Sequence, residues 1–137
     1  MTVVVDACAL IALAVDEPAR GLVEARIRDW TMSGQELAAP TLAHYEINSG
    51  LVKAVAAGFL VADIPAAIAS VASLPISYHE AVPDSRVVEI AISLGRRSAY
   101  DAAYIALAER LGAELWTLDG PLYRNAASFG YPVRLFA

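Results

Sequence analysis

The chain has one cysteine, Cys8, and one lysine, Lys53. A lone cysteine excludes an internal disulfide and fits a reducing, cytoplasmic setting. With a single lysine and a formal net charge of −5, the sequence lacks the basic excess of proteins that grip nucleic acid along an extended track. Any such contact must be local or metal-assisted. Long apolar runs are also missing. The longest uncharged stretch, Ile64 to Tyr78, is too short to span a bilayer and contains Pro65 and Pro75. No basic residue precedes the first apolar run, which argues against a secretory signal and for a soluble protein without a membrane partner.

Several chemistries lack their motifs. No P-loop glycine-lysine motif and no dinucleotide-binding glycine pattern follow the first strand. No nucleophile elbow occurs. His44 and His79 are isolated and Cys8 has no partner, so transition-metal spacing is absent and both histidines read as surface or half-buried residues.

What is present is a globular composition, 58% hydrophobic and 18% charged over 137 residues, enough for one domain and one core. No repeat or linker interrupts it. Thr2–Asp6 is a β-branched run that predicts a buried parallel strand. Two helices, Cys8–Val15 and Ala19–Met32, follow on either side of Asp16-Glu17-Pro18. Glu36–Ala39 predicts a short second strand. Thr41 is placed to cap a helix through about Ala57, with Gly58 as its stop. Pro65 marks the start of another helix, and Pro75–Tyr78 a third strand. Asp84 or Ser85 suits the cap of a helix ending at Gly95, and Ser98 that of one ending at Gly112. Glu114–Leu118, Leu122–Phe129 and Pro132–Phe136 read as strand, helix and strand. This alternation predicts an α/β fold with a mostly parallel sheet and right-handed crossovers.

The candidate chemistry is carried by acids. Asp6 ends the first strand and Asp119 the fourth. In open α/β sheets, ligands bind beyond the carboxyl ends of the strands where strand order reverses, so neighbouring first and fourth strands would bring both into one crevice. Each also has an ordinary reading, Asp6 as a helix cap and Asp119 as an Asx turn before Gly120-Pro121. Glu46 lies too far into its helix for a capping box with Thr41, has Gly50 one turn later, and stands in loose charge relation to Lys53. A solvated surface glutamate is its ordinary reading. Asp101, three residues after Ser98, nearly completes a capping box, yet shares a helix face with Ile105 and Ala108. A carboxylate on a buried stripe is costly unless compensated, and a bound cation is one compensation. Mg²⁺ and Mn²⁺ favour oxygen ligands, activate water, stabilise phosphoryl transition states and reconcile an acidic cleft with a polyanionic substrate.

The segments Val3-Val4-Val5-Asp6-Ala7-Cys8-Ala9-Leu10, Tyr45-Glu46-Ile47-Asn48, Tyr100-Asp101-Ala102-Ala103-Tyr104-Ile105-Ala106-Leu107-Ala108 and Thr117-Leu118-Asp119 occur in an order and spacing that resembles PIN-domain proteins, and among them the VapC-like ribonuclease toxins. The resemblance covers nearly the whole chain. It implies a single PIN-like domain over residues 1–137, a three-layer α/β fold with a central five-stranded sheet in the order 3-2-1-4-5. It implies that Asp6, Glu46, Asp101 and Asp119 form a catalytic Mg²⁺ or Mn²⁺ site, with Thr117 and, more weakly, Asn48 and Cys8 beside it. It further implies endonucleolytic cleavage of RNA, homodimerisation, and inhibition by a cognate antitoxin. One departure stands out. Where the family usually carries Ser or Thr two residues after the first aspartate, this chain has Cys8, a poor hydrogen-bond former expected to pack as a small hydrophobe.

Arg96, Arg97 and Arg124 are candidates for phosphate contact. The competing functions are a small-substrate phosphate-ester hydrolase, which would need a second aspartate where Cys8 stands; a receiver-like module, which would need a lysine after the last strand rather than at position 53; and a degenerate, partner-binding PIN-like domain, which would have lost one of the four acids.

Overall fold

The structure, a computed structural model, describes residues 1–15, 17–59 and 63–137. Asp16, expected in the turn between the first two helices, lies outside the described residues.

The first strand, β1 (Thr2–Val5), is the centre of the molecule. Val3, Val4 and Val5 are buried, as a strand covered on both faces requires. β1 pairs in parallel with β2 (Glu36–Pro40) on one side and β4 (Glu114–Thr117) on the other. β3 (Ile76–His79) extends the sheet beyond β2, and β5 (Val133–Leu135) beyond β4. All four pairings are parallel and the order is β3-β2-β1-β4-β5, so strand order reverses between β1 and β4.

The sheet is flanked by helices. α1 (Ala7–Ala14) follows β1 directly and packs against α2 (Arg20–Met32), α3 (Ala43–Ala56) and α4 (Ile64–Ala72). α6 (Tyr100–Leu111) lies on β1, β2 and β4, with α5 (Ser85–Ser93) against it. The short α7 (Gly120–Ala127) leads into β5. α1 is apolar nearly all round because both its sides are covered, and six of its residues are buried. α6 ends on Gly112 in the left-handed conformation (φ 61°), which an L side chain rarely adopts.

Two expected caps are not formed. Thr41 does not cap α3: Leu42 holds that position, and the Thr41 hydroxyl accepts the Ala81 N–H at 3.0 Å, binding the end of β2 to the segment after β3. Ser98 does not cap α6; Ala99 does, without a side-chain bond. Asp84 caps α5 as expected, accepting from Arg86 N–H. Asp63, not expected as a cap, caps α4 by accepting from Ala66 N–H. Among the described residues, no helix is long and apolar enough to cross a membrane.

Candidate active site

β1 and β4 run side by side with Val5 opposite Trp116, so the next residues, Asp6 and Thr117, meet at the carboxyl end of the sheet. The Asp6 N–H donates to Trp116 O at 3.0 Å and continues the ladder by one bond. Asp6 occupies the N-cap position of α1, yet its side chain makes no cap bond. The carboxylate turns instead to Thr117, whose hydroxyl donates to Asp6 Oδ2 at 2.7 Å. Asp6 is 7% exposed and Thr117 fully buried. The same Thr117 oxygen accepts the Asp119 N–H at 3.0 Å.

Cys8 completes this knot. Its sulfur lies 3.5 Å from Thr117 Oγ1 and accepts the Leu118 N–H at 3.4 Å. Thr117 has committed its proton to Asp6, so the Cys8 thiol is the donor to Thr117. The expectation that Cys8 only packs as a hydrophobe is therefore corrected. It is half-buried and bonds as a hydroxyl would, at the longer distances of sulfur. Burial, and then the Asp6 charge, push its thiol up to about 12, so it stays protonated.

Three further acids reach the same place from different elements. Glu46 comes from the first turn of α3, Asp101 from the first turn of α6, and Asp119 from the N-cap of α7. With Asp6 they line one open cleft of about 580 Å³, together with Cys8, Ile11, Tyr45, Lys53 and Tyr100. Asp119 spends one oxygen on its capping role, accepting Leu122 N–H at 3.0 Å. Asp101 forms no capping box and lies 3.6 Å from Arg96 Nε. Glu46 Oε1 accepts the Tyr104 hydroxyl at 2.8 Å.

The electrostatics are those of crowded acids. Burial holds the Asp6 carboxyl above the usual carboxylate range, and the Asp101 charge adds to this against the relief from Thr117. Glu46 is raised by burial first, offset in part by Tyr104, with Asp6 and Asp101 adding to the rise. Asp101 is raised by burial, with Arg96 opposing and Asp119 reinforcing. Tyr104 is pushed up by burial and by Glu46, so its hydroxyl keeps its proton.

This donor set fits a hard divalent cation. It consists of carboxylate oxygens whose mutual repulsion a positive charge would relieve. Among the described residues, no three acidic, histidine or cysteine side chains already stand close enough to hold one ion. Mg²⁺ does not need that, since it usually takes one or two carboxylates directly and keeps several waters.

The remaining candidates divide. Asn48 is not brought to the cleft; it is exposed and lines a separate groove with His44, Ile68 and Tyr78. His44 packs on Tyr78, with ring centroids 4.0 Å apart. Arg96 sits at the cleft edge through Asp101, whereas the Arg124 guanidinium lies over Gly120 and Arg97 is exposed. Sequence reasoning passed over Tyr104. A signal was available, since a tyrosine in the apolar run Ala102–Ala108 must find a partner for its hydroxyl.

A family model described as the PIN domain matches residues 3–127. The chain belongs to the PIN-domain family. This PIN domain is 34% identical over 128 residues to Ribonuclease VapC3 of Pyrobaculum aerophilum, a match covering 89% of this chain and 92% of that protein. A crystal structure of a protein from Pyrobaculum aerophilum superposes with a TM-score of 0.63 at 30% identity, over 91% of this chain and 79% of the other. The Mycobacterium tuberculosis toxin VapC20, described as a Sarcin-Ricin loop cleaving toxin, matches with a TM-score of 0.62 over 94% of this PIN domain and 95% of its own length. At 18% identity that likeness shows the fold.

Proposed function

We propose that this PIN domain is a divalent-metal-dependent endoribonuclease and the toxin of a toxin–antitoxin pair. The observation that carries the proposal is the convergence of Asp6, Glu46, Asp101 and Asp119, from four separate elements, on one cleft at the reversal of strand order. The likeness to a VapC ribonuclease over most of both chains supports RNA as substrate and a cognate antitoxin as partner; a second copy of the chain is part of the same proposal.

Asp6, Glu46, Asp101 and Asp119 would hold Mg²⁺ or Mn²⁺, directly or through water. When bound, such an ion offsets the negative charge of the phosphodiester and makes water a competent nucleophile. The chain's own contribution is placement. Thr117 and Cys8 fix Asp6 on the sheet, the α7 cap fixes Asp119, and Arg96 restrains Asp101. Lys53 and Arg96 supply positive charge at the cleft and its edge for the phosphates that flank the cut. The cleft is open, which suits an unpaired strand or loop, the form in which RNA is most readily admitted to such a site.

The test is cleavage of a structured RNA pool in Mn²⁺ by the wild type and Asp101→Ala. Cleavage should require the metal and should be lost in the variant. Cleavage that survives both chelation and the substitution would sink the mechanism.

A further inference from the structure

Glu46 has the longest side chain of the four acids. It carries three side-chain torsions, sits half-buried at the edge of the cleft, and among the described residues makes no ion pair. A free glutamate in such a place loses considerable rotamer entropy when it is called upon to hold a ligand. Tyr104 is its opposite. It is 1% exposed, packed within α6, and has only two torsions. Its hydroxyl reaches from α6 to α3 and donates to Glu46 Oε1 at 2.8 Å; among the described residues Oε2 has no hydrogen-bond partner. The Ala7 amide at the start of α1 lies close to the same hydroxyl. Tyr104 also stands three residues after Asp101, on a neighbouring position of the same helix surface.

We infer that Tyr104 is a positioning residue: its hydroxyl locks Glu46 in register with Asp101 and Asp6, so that α3 presents a preset oxygen to a divalent cation in the cleft. This rests on the metal-dependent reading above. The role belongs to the hydroxyl and not to the ring, because the ring packs equally well in phenylalanine. It acts through Glu46, because no other side chain accepts its proton among the described residues.

The experiment is calorimetric titration of Mn²⁺ into the full chain, as wild type, Tyr104→Phe, Glu46→Gln and the double variant, with melting in EDTA as control. Tyr104→Phe should weaken Mn²⁺ binding by about tenfold or more, the usual scale for a group that orients a ligand. Its melting transition in EDTA should remain cooperative. In the Glu46→Gln background the same change should cost nothing further. A Tyr104→Phe protein that binds Mn²⁺ as tightly as wild type overturns the role, as does an undiminished loss in the double variant. Loss of the cooperative transition would make Tyr104 a folding determinant and overturn it too. A wild type that takes up no Mn²⁺ removes the metal reading itself and this inference with it, an outcome distinct from tight binding by both proteins.

Discussion

Thr117 donates to Asp6 at 2.7 Å and in the same breadth of one oxygen accepts the backbone N–H of Asp119. One buried hydroxyl thereby joins the ends of β1 and β4. Thr117→Val keeps the shape but leaves a carboxylate without its donor and an N–H without its acceptor. The expected loss is about 1–3 kcal/mol, the scale for stranding a buried polar group. Urea unfolding measures it, and Thr117→Ser should recover most of the loss. A valine variant as stable as wild type would show that the knot contributes nothing.

Cys8 makes a separate prediction. Its thiol donates to Thr117 and its sulfur accepts from Leu118 N–H. Cys8→Ser retains both functions with a better hydrogen-bonding atom, so stability and RNA cleavage should be preserved. Cys8→Val removes both and should lower the melting temperature. Because the thiol is pushed up to about 12, wild type should react slowly with a thiol reagent at neutral pH. Rapid labelling of the folded protein would contradict a protonated, hydrogen-bonded thiol.

The acid cluster fixes a pH dependence. Asp6, Glu46 and Asp101 are all raised above their ordinary values, burial being the largest cause in each. The folded state therefore binds more protons than the unfolded one over the window that begins at the unfolded carboxyl values of about 4 and ends at the raised folded values. In that window these groups make stability fall as pH rises, and above it their cost is complete. Glu109 is shifted the other way by Arg86, but that pair is solvent-screened. In EDTA, Asp6→Asn should melt above wild type near neutral pH. A divalent ion at a hundredfold excess over its dissociation constant should stabilise wild type by about 2.7 kcal/mol, and Asp6→Asn should blunt that gain. Melting curves across pH, with EDTA and with Mn²⁺, decide it; equal metal shifts in both proteins would remove Asp6 from the site.

Gly50 sets how closely α3 approaches α1. A Cβ there would run into the Ile11 side chain. Gly50→Ala should destabilise the protein by about 1–3 kcal/mol, the cost of overpacking, despite alanine's better helix propensity. Ile11→Ala in the same chain should recover part of it. Ile11 lines the acidic cleft, so the single variant should also slow RNA cleavage by displacing that part of its wall. A neutral or stabilising Gly50→Ala would mean that the helices part freely.

The sequence by itself determined the elements and the candidate acids. β-Branched Thr2–Val5 could only be a covered strand, and alternating strands and helices forced a parallel sheet, because each pattern reports burial on a local period. Asp6 and Asp119 were legible as strand-end acids for the same reason. Local patterns carry no information on what stands opposite in space. Only the tertiary structure decided that Asp6 forgoes its cap for Thr117, that Ser98 caps nothing, that Asn48 faces another groove, and that Tyr104 reaches Glu46. Those choices join residues far apart in the chain, through side-chain rotamers and buried polar groups that must find partners wherever the fold brings one. The carboxylates could be named from the sequence; their common cleft exists because β1 and β4 lie side by side.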